Sequence, residues 1–176
     1  MKTLGAVLAG GQSSRFGSDK AFADAGGQTL VDIALATLSV QCDAVCVVGR
    51  KLPGATSLAD WPVGGMGPLA AIAGGLRHAR QAGFGQLLSV PVDAPDLPRE
   101  LRALLEPAPA HLLQLPVAGL WPIGALSLLE AMLSRPGRHA VRDFASAIRS
   151  RPVELDRPVA NINTPADLNL WRQRRG

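Results

Sequence analysis

The chain is poor in the residues that build disulfide-stapled or metal-clustered folds. It has two cysteines, Cys42 and Cys46, too few for a disulfide framework. Their spacing fits no zinc motif, and His78, His111 and His139 stand far apart in sequence, so no metal is assigned to any of them. The two thiols read instead as buried groups of a cytoplasmic protein. No stretch approaches the roughly 18 consecutive apolar residues of a membrane span. The apolar run that follows Met1 is too short for a secretory segment, so neither a membrane nor an export route is expected. Aromatic residues make up 4% of the chain, and Trp61, Trp121 and Trp171 read as packing residues rather than stacking platforms. The net charge is +4 and the isoelectric point about 9.8, with the cations scattered apart from Arg172, Arg174 and Arg175. That balance suits an anionic ligand, and no motif supports nucleic acid.

What the chain does have is apolar content. With 47% hydrophobic residues over 176 positions it can bury a full core, and no repeat or Gly/Ser-rich linker divides it. One domain spanning 1–176 is expected. Leu4–Leu8 and Gln86–Val90 are short apolar runs, and Ala44–Val48 is a run of small and β-branched residues closed by Gly49. Between them, Thr29–Val40 places Leu30, Ile33, Ala34 and Leu38 on one helical face, and Leu69–Ala82 is Ala-rich with Pro68 in a first-turn position. Pro98–Leu105 reads as a helix with Glu100 near its positive end. Further on, His111–Val117 and Val153–Leu155 read as strands, and Ala125–Leu133 and Val141–Ile148 as helices. Pro107-Ala108-Pro109 is read as a stiff turn. Thr164-Pro165-Ala166-Asp167 starts a last helix, with Thr164 as N-cap, Pro165 first and Asp167 third. The alternation predicts an α/β fold, a doubly wound, Rossmann-like, mostly parallel sheet flanked by helices, whose ligand lies beyond the carboxyl ends of the strands.

The chemistry starts at Leu8-Ala9-Gly10-Gly11, directly after the first predicted strand, and continues to Arg15 and Lys20. Glycines in such a turn let bare backbone N–H groups approach an anion. Arg15 adds a planar fork suited to phosphate oxygens and Lys20 a flexible point charge. The segment is neither a Walker A loop nor a dinucleotide fingerprint, because Gly10, Gly11 and Gly17 have the wrong spacing for both. Asp93, in Pro91-Val92-Asp93-Ala94-Pro95, follows a predicted central strand and so stands on the same sheet edge as the loop. It is the best-placed carboxylate for the magnesium that accompanies a nucleoside triphosphate. A second glycine-dense loop, Gly64–Gly67, opens the Pro68-Leu69 helix and suits close approach to a base or ribose.

Together these segments resemble the MobA-like nucleotidyltransferases, the molybdenum cofactor guanylyltransferases. Leu8–Lys20 fits the pattern L-A-G-G-x-S-x-R-[MF]-G-x-D-K at every fixed position, Pro91–Pro95 fits P-x-D-x-P, and Gly67-Pro68-Leu69 fits G-P-L. Asn161-Ile162-Asn163-Thr164-Pro165 resembles N-[IV]-N-T-P. The resemblance is weak between Pro107 and Pro158. It implies transfer of GMP from GTP to the terminal phosphate of molybdopterin, with release of pyrophosphate. It implies a nucleotide site of Leu8, Ala9, Gly10, Gly11, Lys20, Asp60, Gly67, Pro68, Leu69 and Asp93. Arg15, Lys20 and Asp93 carry the transfer, Mg²⁺ sits on Asp93, and Asn161 and Asn163 face the pterin acceptor. The nucleotide part spans about 1–106 and the acceptor part about 107–176.

Asp60 has a chemical purpose in this scheme: a carboxylate accepts from both N1–H and the 2-amino group of guanine. Three positions depart from the family. Val92 stands where Cys is usual, Trp121 replaces the His of a His-Pro element, and Gly49-Arg50 stands where an Asn is frequent. The last change removes one ribose or base contact and leaves Arg50 as a candidate contact to the acceptor. A cytidylyl- or sugar-phosphate nucleotidyltransferase is the rival enzyme, though those with CTP resemble L-A-A-G where this chain has Gly10-Gly11. A catalytically silent nucleotide-binding partner of cofactor-biosynthesis or molybdoenzyme maturation proteins is the rival of a different class.

Overall fold

The computed structural model describes residues 1–10, 19–137 and 139–174. The centre of the sheet is β1 (Thr3–Leu8), all six of whose residues are buried. A strand with no exposed face must have layers on both sides, and its pleat sends alternate side chains to each. Val7 faces one core, while Leu4, Ala6 and Leu8 face the other. The first core is closed by three helices, α1 (Leu30–Ser39), α3 (Leu101–Leu105) and α6 (Pro165–Gln173). The second is closed by α2 (Pro68–Gln81), α4 (Leu126–Leu133) and α5 (Val141–Ala147). This is the doubly wound arrangement expected from the sequence.

The remaining strands are β2 (Ala44–Val48), β3 (Ser57–Leu58), β4 (Gln86–Pro91), β5 (Ala110–Leu112), β6 (Gly119–Pro122) and β7 (Arg151–Val153). Their order across the sheet is β3-β2-β1-β4-β6-β5-β7. β1 is parallel to both β2 and β4, in the registers Leu8↔Val48 and Leu8↔Pro91. The chain winds outward from β1 through β2 to β3, then returns to the other side as β4. The switch point therefore lies between β1 and β4, where a ligand crevice opens beyond the strand ends. β6 runs antiparallel to β4 and β5.

Capping residues set several boundaries. Thr29 and Asp32 form a capping box that starts α1, and Thr164 and Asp167 form another that starts α6 with Pro165 in its first turn, as the sequence predicts. Pro68 begins α2 after Gly67, whose φ of 83° places it in the left-handed region.

Three predicted elements are corrected, and one strand is new. The strand expected over His111–Val117 stops at Leu112, because Leu113–Ala118 turns back, with the Leu112 N–H donating to the Ala118 carbonyl (2.9 Å). Pro116 has no N–H to continue a ladder, and the chain returns as β6. The strand expected at Val153–Leu155 lies at Arg151–Val153, in register with Ala110–Leu112. The helix over Pro98–Leu105 shortens to Leu101–Leu105, with Glu100 at its N-cap making no side-chain cap. β3 is two residues long and has no apolar pattern to announce it.

The three tryptophans pack as expected. Trp121 is fully buried against Phe144 and stacks near His111. Trp171 is buried and donates to Asp96 (2.7 Å). The Arg77 guanidinium lies over Trp61 at 5.0 Å. Both cysteines are free, and burial pushes each thiol up to about 12. Among the described residues no three or more His, Cys, Asp or Glu gather to hold a metal ion, and no helix is long and apolar enough to cross a membrane.

Candidate active site

Four parallel strands end on one sheet edge, so the residues just after them converge. Leu8 leads to Gly10, Val48 to Gly49, Leu58 to Asp60 and Pro91 to Asp93. Backbone hydrogen bonds tie these exits together. Ala9 N–H donates to Val48 (2.9 Å), Gly49 N–H to Leu58 (2.9 Å) and Val92 N–H to Leu8 (3.2 Å). The carboxyl-terminal segment joins them, with Ile162 N–H donating to the Asp93 carbonyl (2.8 Å).

Gly49 is where this packing is tightest. Its φ is 83°, and a Cβ there would stand 2.6 Å from Gly10 Cα and 3.1 Å from Asp60 Oδ1. Only glycine lets the exits of β1 and β2 and the Asp60 carboxylate meet. Gly74 on α2 does the same for the approach to Asp60, since a Cβ there would lie 2.3 Å from the Ala59 carbonyl oxygen.

The crevice holds a cavity of about 470 Å³. Leu8, Ala9, Gly10, Gly65, Gly67, Pro68, Ala71 and Asp60 line it together with Asp19, Lys20, Ala21 and Asp93. Pro91, Val92, Leu115, Val117 and Asn161 complete the wall. Within this lining, Lys20 Nζ is 2.7 Å from Asp93 Oδ2, with the two side chains only 16% and 22% exposed. Lys20 opens a short 3-10 turn, Lys20–Phe22, whose N-cap is Asp19: one Asp19 oxygen accepts from Ala21 N–H (3.3 Å). The other lies 2.9 Å from Arg50 Nη1.

Asp60 is the anomalous carboxylate. Its Oδ1 is buried with no hydrogen-bond partner among the described residues. Burial raises its pKa above the ordinary value, and a backbone hydrogen bond from Gly65 offsets part of that. A buried, unpartnered acceptor is a costly group for a protein to keep, and the residue that carries it lines the cavity.

The structure thus brings Leu8, Ala9, Gly10, Lys20, Asp60, Gly67, Pro68, Asp93 and Asn161 of the expected site around one cavity. Leu69 is fully buried in the core beneath α2 and does not line it. Asn163 is exposed outside the lining, and its N–H donates to Asp167 (2.9 Å), a capping role. Gly11 and Arg15 lie outside the described residues, as does Arg175. Val92 is buried, as a packing residue would be. Sequence reasoning gave no role to Asp19, Leu115 or Val117. Asp19 sits beside Lys20 in the quoted motif and was open to discovery there, whereas Leu115 and Val117 reach the cavity only through the β5–β6 turn.

A doubly wound sheet opening at its switch point on a cavity of nucleotide size has the form of a nucleotide-binding enzyme. The profile of the MobA-like NTP transferase domain matches residues 5–144, and the chain belongs to that family. It is 41% identical to a molybdenum cofactor guanylyltransferase of Acidiphilium cryptum, over 93% of this chain and 90% of the relative. It is 36% identical to one of Sinorhizobium fredii, over 92% and 87%. The fold is similar to the crystal structure of the molybdopterin-guanine dinucleotide biosynthesis protein A of Archaeoglobus fulgidus, with a TM-score of 0.73 over 98% of both chains at 22% identity.

Proposed function

We propose that the protein transfers GMP from GTP to the terminal phosphate of molybdopterin, releasing pyrophosphate. The observation that carries this reading is Asp60, a half-buried carboxylate that lines the cavity and keeps one oxygen unpartnered among the described residues. Guanine offers the adjacent N1–H and 2-amino donors that such a group needs, and cytosine has no such pair. The names of the relatives agree with that preference.

The triphosphate lies along Gly10 and Lys20, and the family motif assigns Gly11 and Arg15, outside the described residues, to the same role. Lys20 holds the phosphate oxygens and stabilises the charge that develops there, a preorganised electrostatic contribution. The acceptor lies against Leu115, Val117 and Asn161, so residues 1–106 serve the nucleotide and 107–176 supply much of the acceptor wall. Asn161 offers the acceptor both a donor and an acceptor, which suits a pterin edge. An acceptor phosphate is already ionised near neutral pH, so it attacks the α-phosphorus in line without a general base. Alignment of the two phosphates in one crevice supplies the remaining rate advantage.

Asp93 fits magnesium delivered with the nucleotide. That ion takes one or two protein carboxylates and fills its other positions with phosphate oxygens and water, and the single carboxylate at the end of β4 matches that habit. Bound there, magnesium would neutralise charge on the phosphate oxygens. The reaction is expected to run in the cytoplasm. Pyrophosphate release measured with GTP and with CTP, with and without molybdopterin, tests the reading. Release that requires GTP and molybdopterin together is expected, and release with CTP alone would reassign the enzyme to cytidylyl transfer.

A further inference from the structure

Arg50 stands two residues beyond the end of β2. Its Nη1 lies 2.9 Å from Asp19 Oδ2, and its Nε is buried with no hydrogen-bond partner among the described residues. Asp19 lines the cavity, while Arg50 is absent from its described lining. The guanidinium is therefore turned toward Asp19 rather than toward the space a substrate fills. Two demands conflict at Asp19. Its carboxylate caps the turn that begins at Lys20, with the Ala21 N–H donating to it, yet a free negative charge beside a triphosphate cradle repels the ligand. A guanidinium on the other oxygen resolves the conflict, since it cancels the charge and leaves the cap in place. A pair about one-third exposed adds little to stability, so its consequence is geometric.

We infer that Arg50 is a positioning residue: through Asp19 it sets where the Lys20 ammonium stands in the cavity. Arg50 anchors on β2, Asp19 fixes the start of the turn, and Lys20 is the next residue, so the strand end and the phosphate-binding lysine move as one unit. The inference rests on the proposed role of Lys20 toward phosphate, and it excludes direct contact of Arg50 with the acceptor.

The test is a double-variant cycle with a second readout that needs no turnover. Arg50→Gln should lower guanylyl transfer roughly tenfold to a hundredfold, the scale of a small misplacement of a catalytic group. Arg50→Lys should recover part of the loss. Asp19→Asn keeps an oxygen for the Ala21 N–H and should reproduce the Arg50→Gln loss. In a Lys20→Ala background, Arg50→Gln should cause no further loss. Independently, acylation of Lys20 in the ligand-free protein, read by mass spectrometry, should rise several-fold in Arg50→Gln, as the lysine leaves its partner Asp93. Thermal melting confirms that each variant folds. Losses that multiply in the double variant, or unchanged Lys20 labelling in Arg50→Gln, overturn the inference. If the wild-type protein makes no guanylyl transfer, the proposed function fails while the labelling result still decides the positioning role.

Discussion

The ammonium of Lys20 lies 2.7 Å from the carboxylate of Asp93, and this contact joins the two loops that follow β1 and β4. Each group is the other's counter-ion while no substrate is bound. An ammonium and a hard dication compete for the same carboxylate oxygen, so the pair opposes metal binding until an anionic nucleotide draws Lys20 away. Substrate and metal are then expected to enter together.

That relationship predicts opposite effects of one substitution. Lys20→Ala should reduce guanylyl transfer by a factor of about 10² to 10³, the usual range for a lost electrostatic stabiliser. The same variant should bind Mn²⁺, used as a paramagnetic probe, more tightly than wild type in the absence of nucleotide. Spin-resonance titration of free Mn²⁺ measures this, and equal or weaker binding by the variant would show that Lys20 does not compete for Asp93.

Asp60 predicts a conflict between stability and function. Burial raises its folded pKa above the unfolded value near 3.8, so the unfolded chain ionises first as pH rises. Stability is therefore lost between the unfolded and the folded pKa, and the ionised carboxylate remains a burden at neutral pH. Asp60→Asn removes that burden and should raise Tm at pH 7. It should also weaken GTP binding by roughly ten- to a hundredfold, the scale of a lost hydrogen bond to a charged group. In the wild type, GTP affinity should fall with acidification at a pH above that of an unperturbed aspartate, and the Asn variant should lack that step. Calorimetric titration against pH checks both; a GTP affinity unchanged by the substitution would remove Asp60 from base recognition.

Gly49 and Gly54 separate backbone strain from crowding. Both have positive φ, 83° and 79°, but a Cβ at Gly54 meets nothing within 4 Å. Gly54→Ala should cost about 1–2 kcal/mol, the conformational penalty alone. Gly49→Ala adds overlap with Gly10 and should cost roughly 2–4 kcal/mol. Denaturant melts of the two variants give the comparison, and equal losses would mean that the exits of β1 and β2 yield to the added methyl group.

The parts legible in the sequence are those written locally. The buried run at Leu4–Leu8 marks a central strand because no residue in it tolerates a wet face. Thr164, Pro165 and Asp167 specify a helix start because the cap is made within one turn. Lys20 and Asp93 were expected on one sheet edge because parallel strands send their carboxyl ends the same way. What escaped depends on the return of the chain. Ser57–Leu58 joins the sheet only because β2 offers an edge. His111–Val117 reads as one strand, and Gly119–Pro122 goes unmarked, until the antiparallel pairing of Ala110–Leu112 with Gly119–Pro122 is formed. Arg50 pairs with Asp19 because the exits of β1 and β2 are stitched together, a contact with no local signal.

Asp93 offers the sharpest separation of metal binding from turn-making. Asp93→Asn keeps the size of the side chain and an oxygen that still accepts from Lys20, so the loop loses charge rather than shape. The ion pair is mostly but not fully buried, and its weakening should cost about 1 kcal/mol, between the exposed and buried limits. For a chain of this length that is a fall in Tm of roughly 2–4 °C. If Asp93 only held the turn, catalysis would change as little as stability does. If it is the magnesium ligand, guanylyl transfer should collapse, because a neutral amide oxygen binds a hard dication far less well than a carboxylate. Raising magnesium should then recover part of the rate in the variant and leave the wild-type rate unchanged. Initial rates across a magnesium titration, taken beside a thermal melt, provide the measurement. A variant with the wild-type rate and the wild-type metal dependence would move the metal site away from Asp93.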